Sequence, residues 1–223
     1  MELFLDTANL EEIRQAAALG VISGVTTNPS LAAKEGIGDL EAYKSAVLEI
    51  ARLVKGPISV EVTNLDPQGM IAQAREIATW HPQVVVKLPS TLAGFQAMAV
   101  VCRDGVRVNQ TLCFSLNQAL LGARLGVTFI SPFVGRLDDE GHRGMALVSD
   151  IVQMIRRYGY PTRVLAASIR HPLHVIEAMQ VGADIATVPF KVLMQMTHHP
   201  LTDVGIQRFA QDWEKASVGR PAR

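Results

Sequence analysis

A single closed (β/α)8 TIM barrel with an extra C-terminal helix is the fold this sequence predicts, and three observations carry the prediction. Eight short apolar segments that read as strands alternate with stretches of helical periodicity. The joints between them are short, and no shift in composition marks a second domain. The length, 223 residues, lies near the lower limit for such a barrel, a fold that forms as one domain. Alternating units of this kind imply a parallel sheet, and eight of them imply that the sheet closes on itself. The open, doubly wound sheet is the alternative, but the first strand-to-helix joint lacks the glycine-rich loop that a dinucleotide site there would need. One domain over residues 1–223 is expected.

Residues 2–6 read as a first strand ending on Asp6, after which Thr7-Ala8-Asn9 offers an N-cap and Leu10, Ile13, Ala16 and Ala17 recur at helical spacing up to Gly20. Residues 21–25 form a second strand that runs into Thr26-Thr27-Asn28-Pro29. The proline stops a central strand, so the polar trio sits at its C-terminal end. Helical material follows to about residue 54, broken near Gly36-Ile37-Gly38. Gly56-Pro57 opens a third strand, 58–62, and Asp66-Pro67 starts a helix to about His81.

The fourth strand, Val84-Val85-Val86-Lys87-Leu88-Pro89, is the unusual one. Its β-branched run reads as buried on both faces and closed by the proline. A lysine there either snorkels past the strand end to water or sits desolvated in a pocket. Desolvation disfavours the ammonium form and leaves a neutral amine that attacks carbonyls.

A helix over about 91–103 ends near Gly105, and residues 106–111 form the fifth strand. A helix from Ser115 to Leu125 stops at Gly126 before the sixth strand, 127–131, which leads into Pro132-Phe133-Val134-Gly135-Arg136. Residues 137–143 are polar and read as a surface loop, followed by a helix over about 144–158. The seventh strand spans 163–168, His171-Pro172 opens a helix to Val181, and the eighth strand spans 185–189. Two helical segments finish the chain, 191–196 and about 204–215, the second with Ile206, Phe209 and Trp213 on one stripe.

Lys plus Arg and Asp plus Glu both number 21, so no broad basic surface for nucleic acid is expected, while a local anion site stays open. Hydrophobic residues make up 48% and charged residues 19%, enough for a filled core with apolar surface left for subunit contacts. Cys102 and Cys113 stand in apolar surroundings and read as small core residues of a reducing compartment. The acidic start, Met1-Glu2, lacks the positive charge of a signal peptide, and no long apolar segment follows. A cytoplasmic protein without a membrane span is expected.

In a (β/α)8 barrel the active site is built at the C-terminal ends of the strands. Those ends carry Asp6, Thr26 with Asn28, Glu61, Lys87, Asn109 with Thr111, Ser131 with Arg136, and Ser168 with Arg170; only the eighth, Val188-Pro189, ends apolar. A neutral lysine amine adds to a ketone, and the protonated imine is an electron sink for breaking the neighbouring C–C bond. Carboxylates such as Asp6 and Glu61 can move the protons. Two arginines after adjacent strands can hold a phosphate, and Asn, Ser and Thr suit sugar hydroxyls. Taken singly, each group has a plainer reading as a cap, a turn residue or a surface ion pair, Arg136 with Asp138 or Asp139 among them. Their shared placement argues for a site.

Six stretches carry a resemblance: Leu5-Asp6-Thr7-Ala8, Gly24-Val25-Thr26-Thr27-Asn28-Pro29-Ser30, Val86-Lys87-Leu88-Pro89, Asn109-Gln110-Thr111-Leu112, Ser131-Pro132-Phe133-Val134-Gly135-Arg136 and Ala166-Ala167-Ser168-Ile169-Arg170. In order and span the chain resembles the transaldolase family, in its small single-barrel branch. The resemblance implies that Lys87 forms a Schiff base with a ketose phosphate, and that Asp6, with Glu61 and Thr111 positioning a water, handles proton transfer. It further implies that Asn28, Asn109 and Ser131 contact the substrate and that Arg136 and Arg170 bind its phosphate. A dihydroxyacetone unit would pass from Lys87 to an aldose phosphate with no metal or organic cofactor. The terminal helix, about 204–215, would pack on a neighbouring subunit in pentamers or decamers, although spacing alone suggests only a helix packed on its own barrel.

The related fructose-6-phosphate aldolases, which release free dihydroxyacetone, typically have Gln, Tyr and Lys where this chain has Glu61, Phe133 and Arg170. A phenol near the imine would help a water hydrolyse it, and phenylalanine cannot. Transfer is therefore favoured over release. A non-catalytic sugar-phosphate-binding barrel would not need the lysine and both carboxylates, and all three are present. A metal site is not expected. His171 and His174 read as helix surface and His198-His199 as a turn before Pro200, without clear carboxylate or cysteine partners.

Overall fold

Alternation along a strand sorts side chains between the barrel interior and the surrounding helices, and here it also divides the interior into an apolar floor and a polar mouth. The computed structural model describes residues 1–218. Its eight parallel strands are β1 (Glu2–Asp6), β2 (Ile22–Thr26), β3 (Ile58–Glu61), β4 (Val84–Pro89), β5 (Val108–Cys113), β6 (Phe129–Pro132), β7 (Arg163–Ala166) and β8 (Ile185–Val188). They close in sequence order, with β1 paired to β8. The predicted barrel is observed.

The helices are α1 (Leu10–Ala18), α2 (Pro29–Lys34), α3 (Leu40–Leu53), α4 (Pro67–Ala78), α5 (Leu92–Val101), α6 (Leu116–Leu125), α7 (Val134–Asp139), α8 (Gly144–Tyr158), α9 (Pro172–Val181), α10 (Phe190–Met196) and α11 (Pro200–Val218). Side chains of Asn9, Asn28, Asp39, Asp66, Thr91, Ser115 and His171 accept backbone N–H bonds at the starts of α1 to α6 and α9, which satisfies donors the first turn leaves unpaired.

Phe4, Val85, Phe129, Leu165 and Ile185 fill the barrel floor, with Phe4 and Phe129 edge to face at 6.0 Å. Gly24 makes room for this layer, because a Cβ there would lie 2.7 Å from the Phe4 ring. A separate, larger apolar core lies between strands and helices. Cys113 is buried and Cys102 partly so, and burial pushes their thiols up to about 12 and about 11.

Three segments depart from expectation. The polar run after residue 136 begins as helix α7, not as a loop, because Val134 and Gly135 donate N–H bonds to the carbonyls of Ala167 and Ser168, so the helix starts without a side-chain cap. His174 is buried at 6% exposure, so the reading of the His171/His174 pair as helix surface is corrected for His174. The terminal helix begins at Pro200, earlier than expected, and its apolar side chains Leu201, Ile206, Phe209 and Trp213 are exposed, so the stripe does not pack on its own barrel.

Candidate active site

Two residues above the apolar floor, the same alternation turns polar side chains inward. Parallel pairing sets Glu61 of β3 beside Lys87 of β4, Lys87 beside Asn109 of β5, and Asp6 of β1 beside Thr26 of β2. Above them opens a cavity of about 270 Å3 walled by, among others, Asp6, Lys87, Ser131, Arg136 and Arg170. Thr26, Asn28, Asn109, Phe133 and Ser168 line it too, so ten of the twelve residues singled out from sequence converge on one space.

Lys87 is 4% exposed, and its Nζ lies 3.0 Å from Glu61 Oε2 and donates to the Thr27 carbonyl at 3.0 Å. That carbonyl is held in place: Thr27 Oγ1 donates to Ser59 O at 2.8 Å and shares a 2.5 Å bond with the Tyr43 hydroxyl, whose pKa burial pushes up to about 12. The lysine is thus desolvated and aimed, with a carboxylate placed to take a proton from it. Asp6 stands above its ordinary pKa, chiefly through burial. Attraction to Lys87 and the Thr26 hydrogen bond partly offset the rise, and repulsion from Glu61 adds to it.

Glu61 and Thr111 are not in the cavity wall. Glu61 meets the site through its contact with Lys87. Thr111 is fully buried on β5, and its Oγ1 has no hydrogen-bond partner among the described residues. Asn28 caps α2, accepting from Leu31 N at 3.0 Å, which leaves its amide hydrogens for a ligand.

Three supporting residues escaped the sequence reading. Ser59 accepts from Asn109 Nδ2 at 3.0 Å while Ser131 donates to Asn109 Oδ1 at 2.6 Å, so the amide is held from both ends. Thr187 of β8 lies 2.6 Å from Thr26 Oγ1, which donates to Asp6 Oδ1 at 2.6 Å. Thr26 has one hydroxyl proton, so giving it to Asp6 makes Thr187 the donor to Thr26. The eighth strand therefore contributes to the site after all; the expectation that it ends apolar looked at its last residues, whereas the inward position is one earlier. Lys34 of α2 also reaches the cavity wall.

At the rim, Arg136 stacks over the Phe133 ring at 5.1 Å, not against Asp138 or Asp139, and Arg170 pairs with Asp139 at 2.7 Å. Arg170 passes across Gly135: a Cβ there would lie 2.3 Å from Ser168 O and 2.5 Å from Arg170 Nε. Gly135→Ala is expected to weaken binding of inorganic phosphate by about tenfold or more, because the Arg170 side chain must leave its place in the wall of the cavity that Arg136 also lines. Calorimetric titration checks this, and unchanged affinity would show that the arginines do not act together.

No three His, Cys, Asp or Glu side chains gather where they could hold a metal ion among the described residues. No helix among them is long and apolar enough to cross a membrane.

Residues 3–218 match the family described as transaldolase/fructose-6-phosphate aldolase. The chain is 60% identical over 215 residues to a protein of Dehalococcoides mccartyi named probable transaldolase, covering 96% of this chain and 98% of that one. A Roseiflexus castenholzii protein of the same name is 59% identical over 220 residues, 99% of this chain and all of the relative. Another, from Desulforudis audaxviator, is 57% identical over 215 residues, 96% and 98% of the two chains. Matched over residues 3–218, with a buried lysine at the floor of its polar cavity, the chain belongs to the transaldolase/fructose-6-phosphate aldolase family.

Proposed function

We propose that this chain is a transaldolase, and the observation that carries the reading is the Lys87 amine, buried between Glu61 and the Thr27 carbonyl and opening on a cavity rimmed by two arginines. Glu61 takes the ammonium proton, and the amine adds to the ketone of sedoheptulose 7-phosphate or fructose 6-phosphate, losing water to give a protonated imine. Asp6 removes the proton of the substrate's C4 hydroxyl, the C3–C4 electron pair flows into the iminium, and an aldose phosphate leaves. The enamine on Lys87 then attacks the aldehyde of glyceraldehyde 3-phosphate or erythrose 4-phosphate by the same steps reversed. Glu61 and Thr111 position the water that ends the cycle by hydrolysing the imine.

Because the imine is itself the electron sink, this chemistry needs neither metal nor organic cofactor. Asn28, Asn109, Ser131 and Ser168 suit the sugar hydroxyls, and Arg136 with Arg170 suits the phosphate. The reading extends to a place in the pentose phosphate pathway, in the cytoplasm, with residues 1–223 as one domain. The exposed apolar face of α11 supports a homo-oligomer, a pentamer or decamer, in which that helix lies on a neighbouring subunit.

Fructose-6-phosphate aldolase is the second reading, since the family covers both. Phe133 weighs against it: its ring lines the cavity without a hydroxyl to assist hydrolysis of the intermediate. Phe133→Tyr is expected to raise release of free dihydroxyacetone from fructose 6-phosphate by about 10^2-fold, the lower end of what one positioned proton donor contributes. For the native chain, fructose 6-phosphate is incubated with and without erythrose 4-phosphate and then treated with borohydride. Sedoheptulose 7-phosphate formed only with acceptor, and an adduct on Lys87, are expected. Rapid release of free dihydroxyacetone without acceptor would replace the transferase reading with the aldolase.

A further inference from the structure

His174 does not line the cavity, yet its ring joins the two segments that carry the rim arginines. Its Nδ1 accepts the backbone N–H of Arg170 at 3.3 Å, and its Nε2 lies 3.1 Å from Asp138 Oδ2 on α7. The other oxygen of Asp138 accepts Gly144 N–H at 2.8 Å, at the start of α8. A nitrogen that accepts a hydrogen bond cannot carry the proton, so the ring is neutral with its hydrogen on Nε2, donating to the carboxylate.

The segments joined in this way need holding. Arg136 lies on α7 two residues before Asp138, and Arg170 follows Ser168, whose φ of 59° is a left-handed conformation that a serine keeps only under constraint. The near ends of the two segments are already joined, by Val134 N–H to Ala167 O and Gly135 N–H to Ser168 O, both at 2.9 Å. His174 ties the far ends. Removing it should leave the barrel intact and let the two arginines drift apart.

We propose that neutral His174 is a positioning residue for the phosphate cradle, linking Asp138 to the backbone of Arg170 and so setting the spacing of Arg136 and Arg170. The proposal rests on reading the cavity as a sugar-phosphate site. The groups facing the ring are Asp138 from α7, His171 and Glu177 from α9, Arg170 from the preceding turn, and Arg143 beside α8, which lines the same groove. Burial is the largest cause holding His174 below the ordinary imidazole value, His171 and Arg170 act in the same direction, and Asp138 and Glu177 oppose them. Acidification through that lowered value puts a hydrogen on Nδ1, where it faces the Arg170 N–H and cancels the tie.

The test uses the full chain and sulfate, an anion whose charge is constant over the range in which histidine titrates. His174→Leu removes both ring contacts, whereas His174→Asn keeps an acceptor near the Nδ1 position and cannot be protonated. The leucine variant is expected to bind sulfate about tenfold more weakly and to raise KM for fructose 6-phosphate by a similar factor, the scale of one lost hydrogen bond to a charged cradle. Borohydride trapping of unphosphorylated dihydroxyacetone on Lys87 should be unchanged. The asparagine variant should restore most of the affinity at neutral pH. Wild-type sulfate affinity should fall as pH drops below the ordinary imidazole value of 6.5, and by more than that of the asparagine variant. Equal loss for phosphorylated and unphosphorylated ligands, or the same pH step in the asparagine variant, would overturn the proposal. If the leucine variant does not fold, the asparagine variant and the pH comparison decide. Sulfate binding is read without turnover, so failure of the transaldolase reading appears separately, as absent transfer by the wild type.

Discussion

Lys87→Met is expected to abolish the borohydride-trapped adduct and to lower turnover by about 10^4 or more, since methionine has no amine to form the imine. The same change should also destabilise the fold. The Lys87 and Glu61 side chains are 5% and 15% exposed and 3.0 Å apart, so removing the ammonium strands a carboxylate in a buried site. Breaking a buried pair from one side costs about 3–5 kcal/mol. Adding Glu61→Gln to the same chain removes the stranded charge and should recover most of that loss while activity stays absent. Denaturant titration of the single and double variants separates the two effects. A single variant with wild-type activity would sink the imine mechanism, and one with wild-type stability would show that Lys87 is not what holds the Glu61 charge.

Asp6→Asn should lower turnover by about 10^2 to 10^4 and at the same time raise Tm at neutral pH. Burial raises the Asp6 carboxyl above its ordinary 3.8, so the folded chain binds this proton more tightly than the unfolded chain does. The stability that Asp6 contributes is therefore full below 3.8 and is lost as pH rises through the raised folded value. Above that raised value the protein carries an ionised carboxylate at a cost that asparagine avoids. Melting curves at acidic and neutral pH check this. The gap in Tm between variant and wild type should widen as pH rises, and a gap that narrows would mean that Lys87 and Thr26 more than offset the burial.

The strand ends were the legible part of this chain. Asp6, Lys87, Asn109 and Ser131 each close or nearly close an apolar strand segment, and closure of the barrel brings such ends together whatever the intervening helices do. Thr187 was missed because β8 was read from its final Val188-Pro189, while the residue facing inward is the one before. Ser59 was missed because a serine at the middle of a short strand carries no signal of its own until Asn109 is placed opposite. Helix α7 was illegible because its first donors are satisfied by carbonyls more than thirty residues later in the chain, not by a neighbouring cap. His174 looked like surface because periodicity places it on α9 without revealing that Asp138 and the Arg170 turn cover it.

The Asp139–Arg170 pair has a consequence for how quickly an anion comes and goes. Both side chains are about half exposed, at 61% and 51%, and a pair of that kind contributes only about 0–1 kcal/mol. Under the proposed function, a phosphate dianion would displace the carboxylate readily, so its arrival would be an exchange of partners that leaves Arg170 never bare. Departure would run the same way in reverse, with Asp139 closing on the guanidinium as the phosphate loosens, which would lower the barrier to release. A transaldolase of the kind proposed, which must let its first phosphorylated product go while a carbon fragment stays on Lys87, would gain from such a tethered competitor, trading tightness of grip for speed of turnover.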